Sequence, residues 1–304
     1  MKNIMRILIT VLLLTPFLAL AQKINEDQLL QDLAYLASDE LEGRKPLSEG
    51  SLKARSLFIE RFSELGLTSQ YKNYTQYFTF RNRRDGEIYE NAANIVGFIP
   101  GETSEKIIVI MAHYDHLGKS GNKIFNGADD NASGAAAILA FSAYFSENRP
   151  KHSMMFVALD AEEMGHQGAK ALVNDFPFPL DQVILNINMD MISRNENNEL
   201  YASGTYHTPS LKPFIEKVAT GKIPKLLFGH DEPNMGRDDW TLASDHAQFH
   251  LKGIPFIYFG VEDHEDYHKE TDTFENIHPE FYKNAANLIL EIIINLDKAL
   301  IENN

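Results

Sequence analysis

Three short runs that read as buried, Ile107 to Met111, Met154 to Leu159 and, but for Asn186 and Asn188, Val183 to Met189, are separated by stretches of helical spacing, Ala132 to Phe145 and Gln167 to Val173. A strand with alternating apolar and polar residues leaves one face in water. A run that is apolar throughout must be covered on both faces, and parallel strands joined by crossover helices meet that demand. The pattern predicts an α/β fold with a largely parallel central sheet flanked by helices. With 304 residues and 44% hydrophobic composition, the chain can bury such a core in one domain.

Ahead of this block, Asn25 to Ser38 and Ser48 to Leu65 read as two helices, the second closed by Gly66. Tyr74 to Phe80 alternates, Arg84-Asp85-Gly86 is a turn, and Ala92 to Ile99 resumes the alternation. This predicts antiparallel strands at a sheet edge, so the sheet is mixed. Downstream, Ile254 to Phe259 is predicted as a buried strand, with Pro209 to Ala219 and Pro279 to Leu300 as helices.

The N-terminus sets an expectation about location. Lys2 and Arg6 precede the apolar stretch Ile7 to Leu20, and Ala19-Leu20-Ala21 ends it before Gln22, the layout of a cleavable secretory signal. A membrane anchor needs about 20 apolar residues, whereas Thr10, Thr15 and Pro16 interrupt this one. The chain is read as a signal segment, residues 1–21, and one domain, residues 22–304, exported to a bacterial periplasm or secreted, with no membrane contact after cleavage. It has no cysteine, so any metal site must be built from His, Asp and Glu. The formal charge of −15 argues against nucleic acid as a partner, which would require a basic face.

Metal-capable residues gather just past the apolar runs, where open α/β sheets place their sites. His113-Tyr114-Asp115 follows the first run, and in His-x-Asp a carboxylate can orient a ligand imidazole. Gly127 to Gly134 brings Asp129 and Asp130 to a helix start, Asp160-Ala161-Glu162-Glu163 follows the second run, and Asp190 follows the third. Tyr267-His268 lies beyond Ile254 to Phe259. Singly, each has an ordinary explanation, such as a helix cap for an acid. Together His113, Asp130, Glu163, Asp190 and His268 form a set of nitrogen and oxygen donors suited to zinc. The other histidines, His116, His152, His166, His207, His230, His246, His250, His264 and His278, are read as surface or packing residues, with His246 supporting the site's architecture.

At these residues the chain resembles the co-catalytic zinc aminopeptidases of peptidase family 28, relatives of glutamate carboxypeptidase II and the glutaminyl cyclases. The similarity runs from about Ser38 to Ile277. Its most specific pieces are Ala112-His113-Tyr114-Asp115, Gly127 to Gly134, Asp160 to Gly165, Asn188-Met189-Asp190, Ser244-Asp245-His246 leading to Gly253-Ile254-Pro255, and Ser38 to Arg44. The resemblance implies an eight-stranded mixed sheet between helices (the phosphorylase/hydrolase-like fold) and a zinc peptidase catalytic domain over residues 22–304. It implies two zinc ions, one held by His113 and Asp190, the other by Glu163 and His268, with Asp130 bridging and a cis peptide following it. It also implies Glu162 as general base, Asp115 as the carboxylate that orients His113, and Tyr267 as a donor to the developing oxyanion. The expected activity is removal of N-terminal residues from a peptide substrate with a free N-terminus.

A glutaminyl cyclase of the same fold is the nearest alternative, but a single-zinc enzyme would not need the second set of donors. A non-catalytic zinc-bound module would have lost the base or a ligand, and neither is missing. A carboxypeptidase shares the metal core. The chain's length, with no room for an inserted domain between Tyr71 and Asn94, favours the aminopeptidase. The segment from Asn195 to Asp245, with Tyr206, Phe228, Met235 and Trp240, is the expected source of specificity-pocket walls, and each of these residues alone fits ordinary core packing equally well.

Overall fold

The structure is a computed structural model that describes residues 23–102 and 104–302; the predicted signal segment, Met1 to Ala21, lies outside them. Asn25 and Ser48 turn their side chains back to accept the backbone N–H of Gln28 and Ser51, and so begin two helices. In chain order the elements are α1 (Glu26–Leu36), α2 (Glu49–Glu64), β1 (Thr75–Arg81), β2 (Ile88–Ile99), β3 (Ser104–His113), β4 (Gly118–Ser120), β5 (Lys123–Phe125) and α3 (Gly134–Glu147). There follow β6 (His152–Leu159), α4 (Gln167–Asn174), β7 (Val183–Met189), β8 (Glu199–Ser203), α5 (Lys212–Ala219), β9 (Lys225–Phe228), α6 (His246–His250), β10 (Phe256–Gly260) and α7 (Pro279–Glu302).

Among the described residues, eight strands form one sheet in the order β1-β2-β6-β3-β7-β10-β8-β9, and β4 and β5 make a separate hairpin. β6, β3, β7 and β10 run parallel, while β1–β2, β2–β6 and β10–β8 pair antiparallel. The sheet is therefore mixed, with a parallel centre. Successive residues of β3 face opposite ways, as the period of a strand requires. Ile108, Ile110 and Ala112 join the core shared with α1, α2, α3 and α7, while Ile107, Val109 and Met111 join the core on the other face, with Leu172 of α4 and Phe249 of α6. This two-sided burial is the reason Ile107 to Met111 and Met154 to Leu159 are apolar throughout.

Two expectations needed adjustment. The strand expected over Ile254 to Phe259 begins at Phe256, because Pro255 has no N–H to donate and only its carbonyl pairs, accepting from Asn186. The segment expected as one helix from Pro209 divides into a short 3₁₀ turn, Pro209–Leu211, and α5. No helix among the described residues is long and apolar enough to cross a membrane.

Candidate metal centre

The carboxyl ends of β3, β6, β7 and β10 lie side by side, so the residues leaving them converge. His113 closes β3, Glu162 and Glu163 follow β6, Asp190 follows β7, and His268 comes from the loop after β10. Asp130 enters from the irregular turn before α3, where the Asp130–Asn131 peptide is cis.

Long-range polar contacts hold these loops. The carboxylate of Asp272 accepts the backbone N–H groups of Asp129 (2.9 Å) and Asp130 (3.1 Å). Asn131 donates to the carbonyl of Met189 at 2.9 Å, tying the turn to the end of β7. Asp115 accepts the N–H groups of Glu162 (3.0 Å) and Glu163 (3.3 Å). The Nδ1 of His113 is 3.1 Å from the Asp115 carbonyl and 3.6 Å from its carboxylate, so Asp115 meets the imidazole mainly through its main chain. Arg44, fully buried, donates to the carbonyls of Tyr114 (2.7 Å), Leu36 (2.5 Å), Asn126 (2.6 Å) and Gly127 (2.9 Å). Burial lowers its pKa to about 10 against the pull of nearby acids, so it stays charged at neutral pH. The family resemblance singled out Ser38 to Arg44, and in the structure Arg44 of that stretch clamps two site loops.

The donor atoms fall into two groups that share one carboxylate. The Nε2 of His113 lies 3.5 Å from Asp130 Oδ1 and 3.3 Å from Asp190 Oδ1. On the other side, the Nε2 of His268 lies 3.1 Å from Asp130 Oδ2 and 3.4 Å from Glu163 Oε1. In a tetrahedral zinc site with bonds of about 2.0–2.1 Å, neighbouring donors stand roughly 3.3 Å apart. The separations fit, and each oxygen of Asp130 serves one group. Glu163 Oε1 is buried without an aligned hydrogen-bond partner, which suits a metal ligand better than a member of a hydrogen-bond network.

Charge accounts for the proton affinities in this cluster. Burial alone would lower the pKa of His268, but its contacts with Asp130 and Glu163 outweigh that and raise it to about 10. Burial pushes Glu162 well above the usual carboxyl range; His113 opposes the shift, and Glu163 and Asp190 add to it. Burial, with Asp130 and Asp190 nearby, also raises Tyr267 and keeps its phenol protonated. Its ring stacks on His268, with centroids 3.9 Å apart.

Beside the cluster is a cavity of about 110 Å³, lined by Asp130, Glu162, Glu163, Asp190, Tyr267, His268 and Asp263 on its polar side and by Met191, Trp240, Ala243, Tyr258 and Val261 on the other. Of the four expected pocket walls only Trp240 reaches it; Tyr206, Phe228 and Met235 do not. Phe228 ends β9, while Tyr206 and Met235 lie in the irregular segments on either side of α5 and β9.

Three histidines read as surface or packing residues instead touch the site's residues. His166 Nε2 is 3.1 Å from Glu162 Oε1, and His264 Nε2 is 3.1 Å from Asp129 Oδ2. His116 is buried with Nδ1 2.9 Å from Glu163 Oε1. His246 does pack as expected, stacked on Phe256, with Nε2 2.9 Å from the carbonyl of Trp240.

The sequence pattern of peptidase family M28 matches residues 94–293, which contain all of the donors named above. The chain belongs to this family. It is similar to the aminopeptidase YwaD of Bacillus subtilis, 27% identical over 216 residues that cover 66% of this chain and 44% of that protein. The M28 chain spans about half the length, or less, of the curated relatives it matches. Its fold is similar to that of BSAP, a zinc aminopeptidase from Bacillus subtilis, with a TM-score of 0.71 at 16% identity over 90% of this chain and 95% of that one. It is similar to the same degree to a Bacteroides thetaiotaomicron glutaminyl cyclase, with a TM-score of 0.70 at 18% identity over 90% and 98% of the two chains. At such identities the likeness bears on the fold of this M28 member.

Proposed function

We propose that this M28 chain is a two-zinc aminopeptidase that removes single residues from peptides with a free N-terminus. The observation that carries the reading is the cavity at the donor cluster: apart from the donors and Glu162 its charged lining is Asp263, and among the described residues no Lys or Arg lines it. A carboxypeptidase must recognise its substrate's terminal carboxylate, ordinarily with a cationic side chain. A free α-amine is instead drawn to such a wall, where Asp263 is available to it.

His113 and Asp190 would hold one zinc, Glu163 and His268 the other, with Asp130 between them. When bound, the ions would polarise the scissile carbonyl and lower the pKa of the attacking water. Glu162 is the base that takes the water's proton and returns it to the leaving amine. Its amide is fixed by Asp115, so the carboxylate is positioned by the same residue whose main chain meets His113. The protonated Tyr267 donates to the developing oxyanion. Met191, Trp240, Ala243, Tyr258 and Val261 receive an apolar N-terminal side chain. The signal-like segment Met1 to Ala21 supports action outside the cytoplasm.

The test is metal analysis of the chain from Gln22 together with aminoacyl-anilide cleavage before and after chelation. About two zincs and chelator-sensitive release of the first residue support the reading. A single zinc, with cyclisation of a Gln-initiated peptide and no cleavage, would favour the cyclase reading instead.

A further inference from the structure

Resting on the two-zinc reading, we infer that His116 is an additional metal ligand, so that the zinc at Glu163 and His268 has four protein donors while the zinc at His113 and Asp190 has three. His116 stands three residues beyond His113, in the loop that follows β3. Its ring is buried, and neither nitrogen has an aligned hydrogen-bond partner. A buried imidazole whose close carboxylate contact is not aligned as a hydrogen bond has a desolvation cost that a metal between the two groups would offset.

Nδ1 is aimed at the donor cluster. It lies 2.9 Å from Glu163 Oε1 and 3.7 Å from Asp130 Oδ2, separations that bracket the roughly 3.3 Å edge of a tetrahedral zinc site. His116, Asp130 and Glu163 by themselves form a group able to hold a metal, as do His113, Asp130 and Asp190. The ring centroids of His116 and His268 are 5.9 Å apart, and two imidazoles on one tetrahedral zinc have centres roughly 5–6 Å apart. Both rings can therefore face one ion.

The backbone makes room for this ring. Gly127 has φ +58°, and a Cβ there would lie 2.5 Å from Cγ and Cδ2 of His116. Arg44 draws the Tyr114 and Gly127 carbonyls toward one guanidinium and so closes the loop on the ring.

The two metals are then unlike. Four protein donors close a zinc shell, while three leave a position open. The open position falls at His113 and Asp190, and the zinc at His116, Asp130, Glu163 and His268 is the one retained longer under chelation.

The experiment uses the zinc-loaded full chain. X-ray absorption at the zinc edge counts imidazoles, and the inference requires three shared between two metals rather than two. Chelator competition on His116→Ala then reads the two affinities separately. One should fall by at least about 100-fold, since loss of mere supporting partners already costs 10- to 100-fold, while the other stays within a few-fold. Two zincs with only two imidazoles, or both affinities unchanged in the variant, would overturn the inference and leave the two-zinc reading intact. No zinc uptake by the unaltered chain would overturn both. If His116→Ala does not fold, the imidazole count on the unaltered chain decides.

Discussion

Replacing Glu162 by Gln tests the division of labour between the adjacent glutamates most directly. The swap keeps volume and shape, the backbone N–H bond to Asp115 is untouched, and the amide can still meet His166 Nε2, now 3.1 Å away. What disappears is the capacity to accept a proton. General base catalysis contributes roughly 10²–10⁴ in rate, which corresponds to about 2.7–5.4 kcal/mol of barrier at 1.36 kcal/mol per decade. Because Glu162 is not among the donors, zinc content should hold at the unaltered value, and KM should move only a few-fold since no apolar wall of the cavity changes. The assay is kcat and KM on an aminoacyl-anilide with zinc counted in the same sample. Turnover within about threefold of the unaltered enzyme at full zinc would remove Glu162 from the role of base. Loss of a zinc would make it a ligand and refute the division itself.

Asp130→Ala should lose zinc as well as activity, because each donor group then lacks a carboxylate oxygen; elemental analysis finding two zincs would contradict the bridge. Arg44→Met removes the guanidinium from the carbonyls of Leu36, Tyr114 and Asn126, while that of Gly127 keeps the N–H of Ala132, and at about 1–3 kcal/mol for each unsatisfied buried group it should cost more than about 3 kcal/mol in urea titrations. Arg44→Lys should recover little of that, since a single ammonium cannot span the fork; an unchanged midpoint would show that the clamp is dispensable. Burial lowers the pKa of His246 from 6.5 to about 3, so between those values the unfolded chain binds a proton that the folded chain refuses. Stability should therefore fall as pH drops through that window, by about 1.4 kcal/mol per unit from this group. Urea titrations of the chelated chain should show His246→Gln with a slope shallower by about one proton, and identical slopes would mean the imidazole is not held neutral.

What the sequence disclosed and what it withheld divide along the range of the interactions involved. The central strands were legible because burial on both faces forces every residue of Met154 to Leu159 to be apolar, and Val183 to Met189 departs from this only at Asn186 and Asn188, whose amides bond to the carbonyl of Val109 and to Ser244. The positions of His113, Glu163 and Asp190 followed, since a metal-capable side chain directly past such a run leaves the sheet at the edge where its neighbours also leave. β8 and β9 escaped notice because each is five residues or fewer and begins on a charge, Glu199 or Lys225, which hides a strand signal. The place of His116 against the donor cluster was hidden for a different reason. Its direction depends on contacts made 70 and more positions away in sequence, with Arg44 holding the Tyr114 carbonyl, and on the missing side chain of Gly127. No local periodicity carries that information. A ligand fixed by strand geometry can thus be found from spacing, whereas one fixed by loop closure shows only when its buried nitrogens are seen to lack partners. The lack of an aligned hydrogen bond at either nitrogen of His116 is the signal that distinguishes it from His246, equally buried but bonded to the carbonyl of Trp240.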